Sequence, residues 1–240
     1  MTERIRMTEA FLRWKLGEST YFEKHPEAGI YRLEHTFRVA RIGREIAQRE
    51  GFDTEYMTMA CLLHDVGYCR EFTDQEDWRG HGRESARIAR PFLLDLGVPA
   101  AAVEEICFGI AIHVDDRADF DGERTPFALT IGDADNIDRF DAYRLYETLE
   151  TIGFSKLSLA DRRAHVEKTL PRLTEYLGLP FATEPATELW RERIGFYLDF
   201  YRRLSAQLSA SAGLGGEDEP LPGGAAPDGG ETLLGLAGRS

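Results

Sequence analysis

Apolar positions along this chain recur at intervals of three and four, the spacing that gives a helix one apolar face. From Leu33 to Glu50 that spacing aligns Val39, Ile42 and Ile46, and Gly51 stops the run. Thr54 to His64 is a second, largely apolar segment. A third spans His81 to Leu96, with Gly97 as its stop and Pro99 opening the next. From Ala100 to Val114 the residues Val103, Ile106, Ile110 and Val114 make one stripe. Residues 126–139 read as a short apolar helix that ends in acids. Residues 158–178 and 184–208 read as long amphipathic helices, with Pro171 a candidate stop or kink in the first. Alternating strand patterns are lacking. The expected fold class is all-α, an irregular helical bundle rather than a simple up-and-down one.

Composition changes the picture at one end. From Gly213 onward the chain holds nine Gly and three Pro, with five acids against one Arg. Such a segment neither sustains a helix nor fills a core, so residues 213–240 are expected to be a disordered tail. The expected folded part is a single helical domain over 1–212, with a core of chemistry at about 30–140 and C-terminal helices over 158–210. The formal charge of −13, from 29 basic and 42 acidic residues, argues against a long nucleic acid as partner. It leaves room for a small anionic molecule, since a metal ion or a few arginines reverse the potential locally. Cys61, Cys69 and Cys107 lack metal-binding spacing and read as reduced thiols. No run approaches the roughly 18 apolar residues of a membrane span, and the first residues lack an apolar signal region. The expected location is cytoplasmic.

Four of the six histidines carry the chemical signal. His35 lies near the start of the first strong helix, in YRLEHTFRVA. His64 and Asp65 end the next, in CLLHDVGYC; His81 opens the third, in GHGRESA; His113 closes the fourth, in GIAIHVDD. Asp133, Asp135 and Asp138 crowd the fifth, in TIGDADNIDR. Imidazole and carboxylate together suit borderline divalent ions. Neighbours on a helix point about 100° apart, but at a helix end beside Gly67 the backbone is able to turn His64 and Asp65 toward one ion. Taken singly, His35, His81 and His113 read equally well as hydrogen-bonded core or surface histidines. His64 with Asp65 on an apolar segment is stranger, because a buried carboxylate needs partners.

The ordered series, His35, then L-L-H-D-x-G, then H-G-x-x-S-A, then His113, then A-D-x-x-D, resembles the HD superfamily of metal-dependent phosphohydrolases. The resemblance covers about residues 30–140 and implies an all-helical fold of the HD-domain type. Carried over, it implies that His35, His64, Asp65 and Asp135 bind one metal, with Asp133 as the alternative late acid. His81 and His113 match the two extra histidines of members that hold a second ion, with Asp65 bridging. The implied cofactor is a divalent metal, two ions of Mn, Fe, Co, Ni or Zn.

The resemblance also implies the chemistry, hydrolysis of a phosphomonoester or phosphodiester in a small nucleotide-like molecule by metal-activated water. Asp65 is then catalytic as well as a ligand. Arg38, one turn beyond His35, is the candidate clamp on phosphate, with Arg83, Arg139 and Lys156 as weaker ones. His25 and His165 fall outside the pattern. The same ligands also serve di-iron oxygenases and small-molecule hydratases or lyases on this scaffold, and a non-catalytic metal-stabilised binding domain is the third reading. Specificity is expected in the 115–125 loop or along the last helices, where Trp190, Tyr197 and Tyr201 read either as core or as ring-stacking surfaces.

Overall fold

The computed structural model describes residues 1–212; the tail expected from the sequence lies outside the described residues. All regular structure among the described residues is helical. The order is α1 (Glu3–Gly17), α2 (Thr20–Lys24), α3 (Pro26–Glu50), α4 (Thr54–Leu63), a 3-10 turn (Val66–Cys69), α5 (Gln75–Arg79), α6 (His81–Asp95), α7 (Ala100–Ile112) and α8 (Pro126–Asp138). Then follow α9 (Ala142–Thr151), a second 3-10 turn (Phe154–Lys156), α10 (Leu159–Tyr176) and α11 (Glu184–Ala210).

These gather into two compact units. One is Met1–Phe140 with Leu179–Arg193; the other is Asp141–Gly178 with the described residues from Ile194. In the first unit α3 packs on α4 and α8, α6 packs on α7, and α7 closes onto α8. Val39 and Ile46 of α3, Leu62 and Leu63 of α4, Ile110 of α7 and Ile131 and Ile137 of α8 are essentially inaccessible. In the second unit Tyr197 and Tyr201 are buried, Tyr197 Oη donates to the Asp141 carbonyl at 3.2 Å, and His165 Nε2 lies 3.3 Å from Tyr201 Oη. Trp190, in the first unit, packs between Phe140 and Phe181. The aromatic stripe of the last helix is therefore core.

The helix patterns read from sequence are all present, but α3 starts earlier, at Pro26. Proline's fixed φ suits the first helical position, where its missing N–H costs nothing. The first turns of α3 show no apolar stripe because Ile30 is exposed there. Pro171 sits inside α10, and the helix continues past it to Tyr176. Helix α1 was not read from the sequence: Thr2 accepts from the Ile5 N–H as an N-cap, and Ile5, Leu12 and Leu16 are buried at helical spacing.

Two glycines set how closely the elements approach. A Cβ on Gly67 would lie 2.8 Å from the His81 carbonyl oxygen and 2.9 Å from Ser85 Oγ. On Gly82 it would lie 2.8 Å from the Ala111 carbonyl and 2.9 Å from that of Ile110. The atoms in the way at Gly82 are backbone of α7, so they have no rotamer to retreat into. Gly82→Ala should force α6 from α7 and cost about 1–3 kcal/mol as overpacking. Urea denaturation checks this, and an unchanged midpoint would show that the contact is not tight.

Candidate metal centre

The ends of several helices converge in the first unit. His35 projects from the middle of α3. His64 caps the C-terminus of α4, and Asp65 leaves helical geometry at φ −110°, ψ 13°. That break turns both neighbours inward, as the position beside Gly67 allows. The turn is held by the Gly67 N–H, which donates to Ser85 Oγ at 2.9 Å. His81 opens α6, His113 caps α7, and Asp135 sits in the last turn of α8.

The second nitrogen of every histidine is tied down. His64 Nδ1 lies 2.7 Å from the Cys61 carbonyl, His81 Nδ1 2.6 Å from that of Trp78, and His113 Nδ1 2.7 Å from that of Ile110. A carbonyl only accepts, so each Nδ1 carries the proton and each Nε2 presents a lone pair. His35 Nδ1 instead lies 2.8 Å from Asp138 Oδ2. Such outer partners orient metal-binding imidazoles.

All four Nε2 atoms point at the Asp65 carboxylate, and they divide between its oxygens. Oδ2 faces His64 at 3.3 Å and His35 at 3.5 Å. Oδ1 faces His81 at 3.2 Å and His113 at 3.6 Å. Asp135 Oδ1 joins the first group, 3.2 Å from His35 Nε2 and 3.9 Å from His64 Nε2. Two sets have ligand atoms close enough together to hold an ion: His35, His64 and Asp135, and His64, Asp65 and His113. His81 stands beside the second set through its contact with Asp65.

Two buried atoms inside this cluster, His64 Nε2 and Asp65 Oδ1, have no hydrogen-bond partner. Leaving such groups bare costs about 1–3 kcal/mol each, and a cation at their meeting point removes that cost. The nitrogen and oxygen donors suit a borderline divalent ion. The residues present therefore fit the metal that the sequence implied.

Asp133, the alternative late acid, accepts from the Ala182 N–H at 2.8 Å, whereas Asp135 faces the imidazoles. Arg38 places its fork on Asp138, with Nε to Oδ1 at 2.8 Å and Nη2 to Oδ2 at 3.1 Å. Arg139 meets Asp135 at 2.8 Å, and Arg83 meets Asp115 at 2.7 Å. The arginines proposed as anion contacts thus each have a carboxylate partner. Lys156 lies exposed in the second unit, and His25 is exposed beside Glu27. Buried Cys61 has its thiol pKa pushed up by desolvation and stays protonated.

Sequence reasoning passed over Arg32. It pairs with Asp65 Oδ2 and lies 3.6 Å over the Tyr68 ring, whose hydroxyl accepts from Trp78 Nε1 at 2.7 Å. Its signal was available, since Arg32 precedes His35 by three residues and so shares its helix face. Burial pushes the Asp65 pKa up, but Arg32 foremost, then the imidazoles, hold it well below the usual carboxylate range. Asp135 is likewise held low against burial, by Arg139 and His35. Burial works against charge on His35, but its hydrogen bonds to Asp135, Asp138 and Asp65 outweigh it and raise its pKa.

Comparison with known proteins agrees with this geometry. The family model of the HD domain matches residues 32–140. That stretch of the chain is an HD domain. No curated protein matches the chain. Two crystal structures share its fold. One is a "predicted HD superfamily hydrolase" from an uncultured Thermotogales bacterium, 24% identical, with a TM-score of 0.56 over 84% of this chain and 91% of that one. The other is YpgQ of Bacillus subtilis in complex with ADP, 17% identical, with a TM-score of 0.55 over 85% of this chain and 95% of that one.

Asp138 touches no inward-facing Nε2, yet it positions His35 and Arg38 together. Asp138→Asn should lower divalent-ion affinity by about 10–100-fold, the usual cost of losing an outer partner. Chelator competition measures it. Unaltered affinity would mean that His35 needs no such support.

Proposed function

We propose that the chain is a metal-dependent phosphohydrolase acting on a phosphomonoester or phosphodiester of a small nucleotide-like molecule. The observation that carries this reading is the division of the Asp65 carboxylate, one oxygen toward His35 and His64 and the other toward His81 and His113. A carboxylate so divided could serve both groups of histidines as a shared ligand. The ions would be held by His35, His64, Asp65 and Asp135 on one side and by Asp65, His81 and His113 on the other. Bound there, they supply Lewis acidity toward water and toward a phosphoryl oxygen.

The chain's own residues do the rest. The Nδ1 bonds to backbone carbonyls fix the lone pairs of His64, His81 and His113 in place, and Asp138 fixes the ring of His35, so the site needs little reorganisation to take up its ions. Arg32 pairs with Asp65 Oδ2, the oxygen that also faces His35 and His64, and Arg139 with the outer oxygen of Asp135. Once those carboxylates have another positive partner, both guanidiniums have hydrogen-bond capacity to offer an anionic substrate. Arg38 acts through Asp138 on His35 and is a positioning residue. The ADP bound to YpgQ, a protein of similar fold, supports the choice of a nucleotide-like substrate.

Purified protein that has met neither chelator nor added metal should carry about two divalent ions per chain, as a bridged site implies. His113→Ala should lose one of them, and chelation should abolish release of phosphate from a panel of nucleotides. Elemental analysis and a phosphate assay read these out. Absence of metal, with none regained from divalent salts, sinks the proposal; two irons with oxygen consumption replace hydrolysis by oxygenation.

A further inference from the structure

Helix α6 carries a second feature on a different face. Its buried side presents His81, Gly82, Ser85, Ala86 and Ala89. Arg83, Arg87 and Arg90 follow one another at spacings of four and three, and so form a separate stripe. With Arg70 from beyond the first 3-10 turn, and with Asp119 and Phe120 from the loop before α8, they line an open cavity of about 360 Å³. Only two lining residues are acidic, Glu84 and Asp119, against four arginines. The cavity thus runs against the net charge of −13 of the whole chain.

Each of these arginines has a carboxylate neighbour; Arg83 is held firmly by Asp115, but Arg87 and Arg90 have an exposed member in each pair. The Arg87 side chain is 73% exposed, and Glu104, the partner of Arg90, is 57% exposed. Exposed pairs hold by about 1 kcal/mol or less, so a phosphate that takes forked, charge-assisted bonds from guanidinium displaces them readily. One wall is apolar and fixed: Arg90 lies 4.7 Å over the Phe120 ring, which meets Phe108 edge-on. A lone orthophosphate reaches few of the four guanidiniums, whereas linked phosphates reach several at once.

We propose that this cavity is a second anion site, separate from the His/Asp centre, and that it takes a small oligophosphate-bearing molecule. The proposal stands on binding alone and does not depend on whether the His/Asp centre hydrolyses phosphate esters. The test is equilibrium dialysis of the intact protein, in excess magnesium, against radiolabelled pyrophosphate. The double variant Arg87→Glu/Arg90→Glu should bind it roughly tenfold or more weakly, the loss expected for charged hydrogen bonds. Arg41→Glu/Arg44→Glu makes the same charge change at exposed positions of α3 and should weaken binding less than about twofold through screened charge alone. Phenylglyoxal modification of the unaltered protein gives a second measurement, independent of how the variants fold. Pyrophosphate should protect Arg70, Arg87 and Arg90 and leave Arg41 and Arg44 reactive. Equal weakening in both variants, or protection that does not distinguish the two sets, overturns the proposal.

Discussion

A carboxylate buried among imidazoles organises the first unit of this protein. The Asp65 side chain is 3% exposed, and moving a charged carboxylate out of water costs several kcal/mol unless partners replace the lost hydration. Arg32 compensates one oxygen. The other faces two imidazole nitrogens without a hydrogen bond to either. An arrangement of this kind persists only where the surrounding fold holds it, and here four helix ends do so.

Those helix ends supply more than position. The last carbonyls of an α-helix lack intrahelical partners, and the structure uses them to fix histidine tautomers. Cys61 near the end of α4 serves His64, and Ile110 near the end of α7 serves His113. One interaction therefore satisfies an orphan acceptor and aims a lone pair. The same economy appears at the glycines, where Gly82 lets α6 lie against the carbonyls of Ala111 and Ile110, next to the histidine that follows them. His81 and His113 come together because nothing larger than hydrogen separates their helices there.

The sequence made the ligand-bearing helices legible because their apolar stripes and glycine stops are local signals. From the residues alone only the His64-Asp65 doublet stood out, since a carboxylate on an apolar segment needs partners; the full set came from the resemblance to the HD superfamily. The choice of Asp135 over Asp133 rested on the register of that resemblance, because no local signal separates the two acids. It turns on which carboxylate meets the Ala182 N–H, a contact 49 residues away in the chain. The pairing of Arg38 escaped the sequence for a related reason: spacing put it on the His35 face, but its partner, Asp138, lies 100 residues further on. Arg32 escaped notice because an arginine on a mixed helix looks solvated until its carboxylate is located. The short helices α2 and α5, five residues each, are too brief for periodicity to register.

Charge near the centre obeys a different rule from charge over the chain. Each inward carboxylate has its own guanidinium: Arg32 with Asp65, Arg139 with Asp135, and Arg38 with Asp138. The cluster is therefore close to balanced before any ion enters, despite the excess of 42 acids over 29 bases in the whole sequence. Divalent ions added to a balanced site leave it positive, and an anion is the natural counter-charge. The acidic excess over the chain then disfavours long polyanions, which must lie across much of it, more than small ones. Local balance and global excess are thus consistent with the small phosphorylated substrate proposed above.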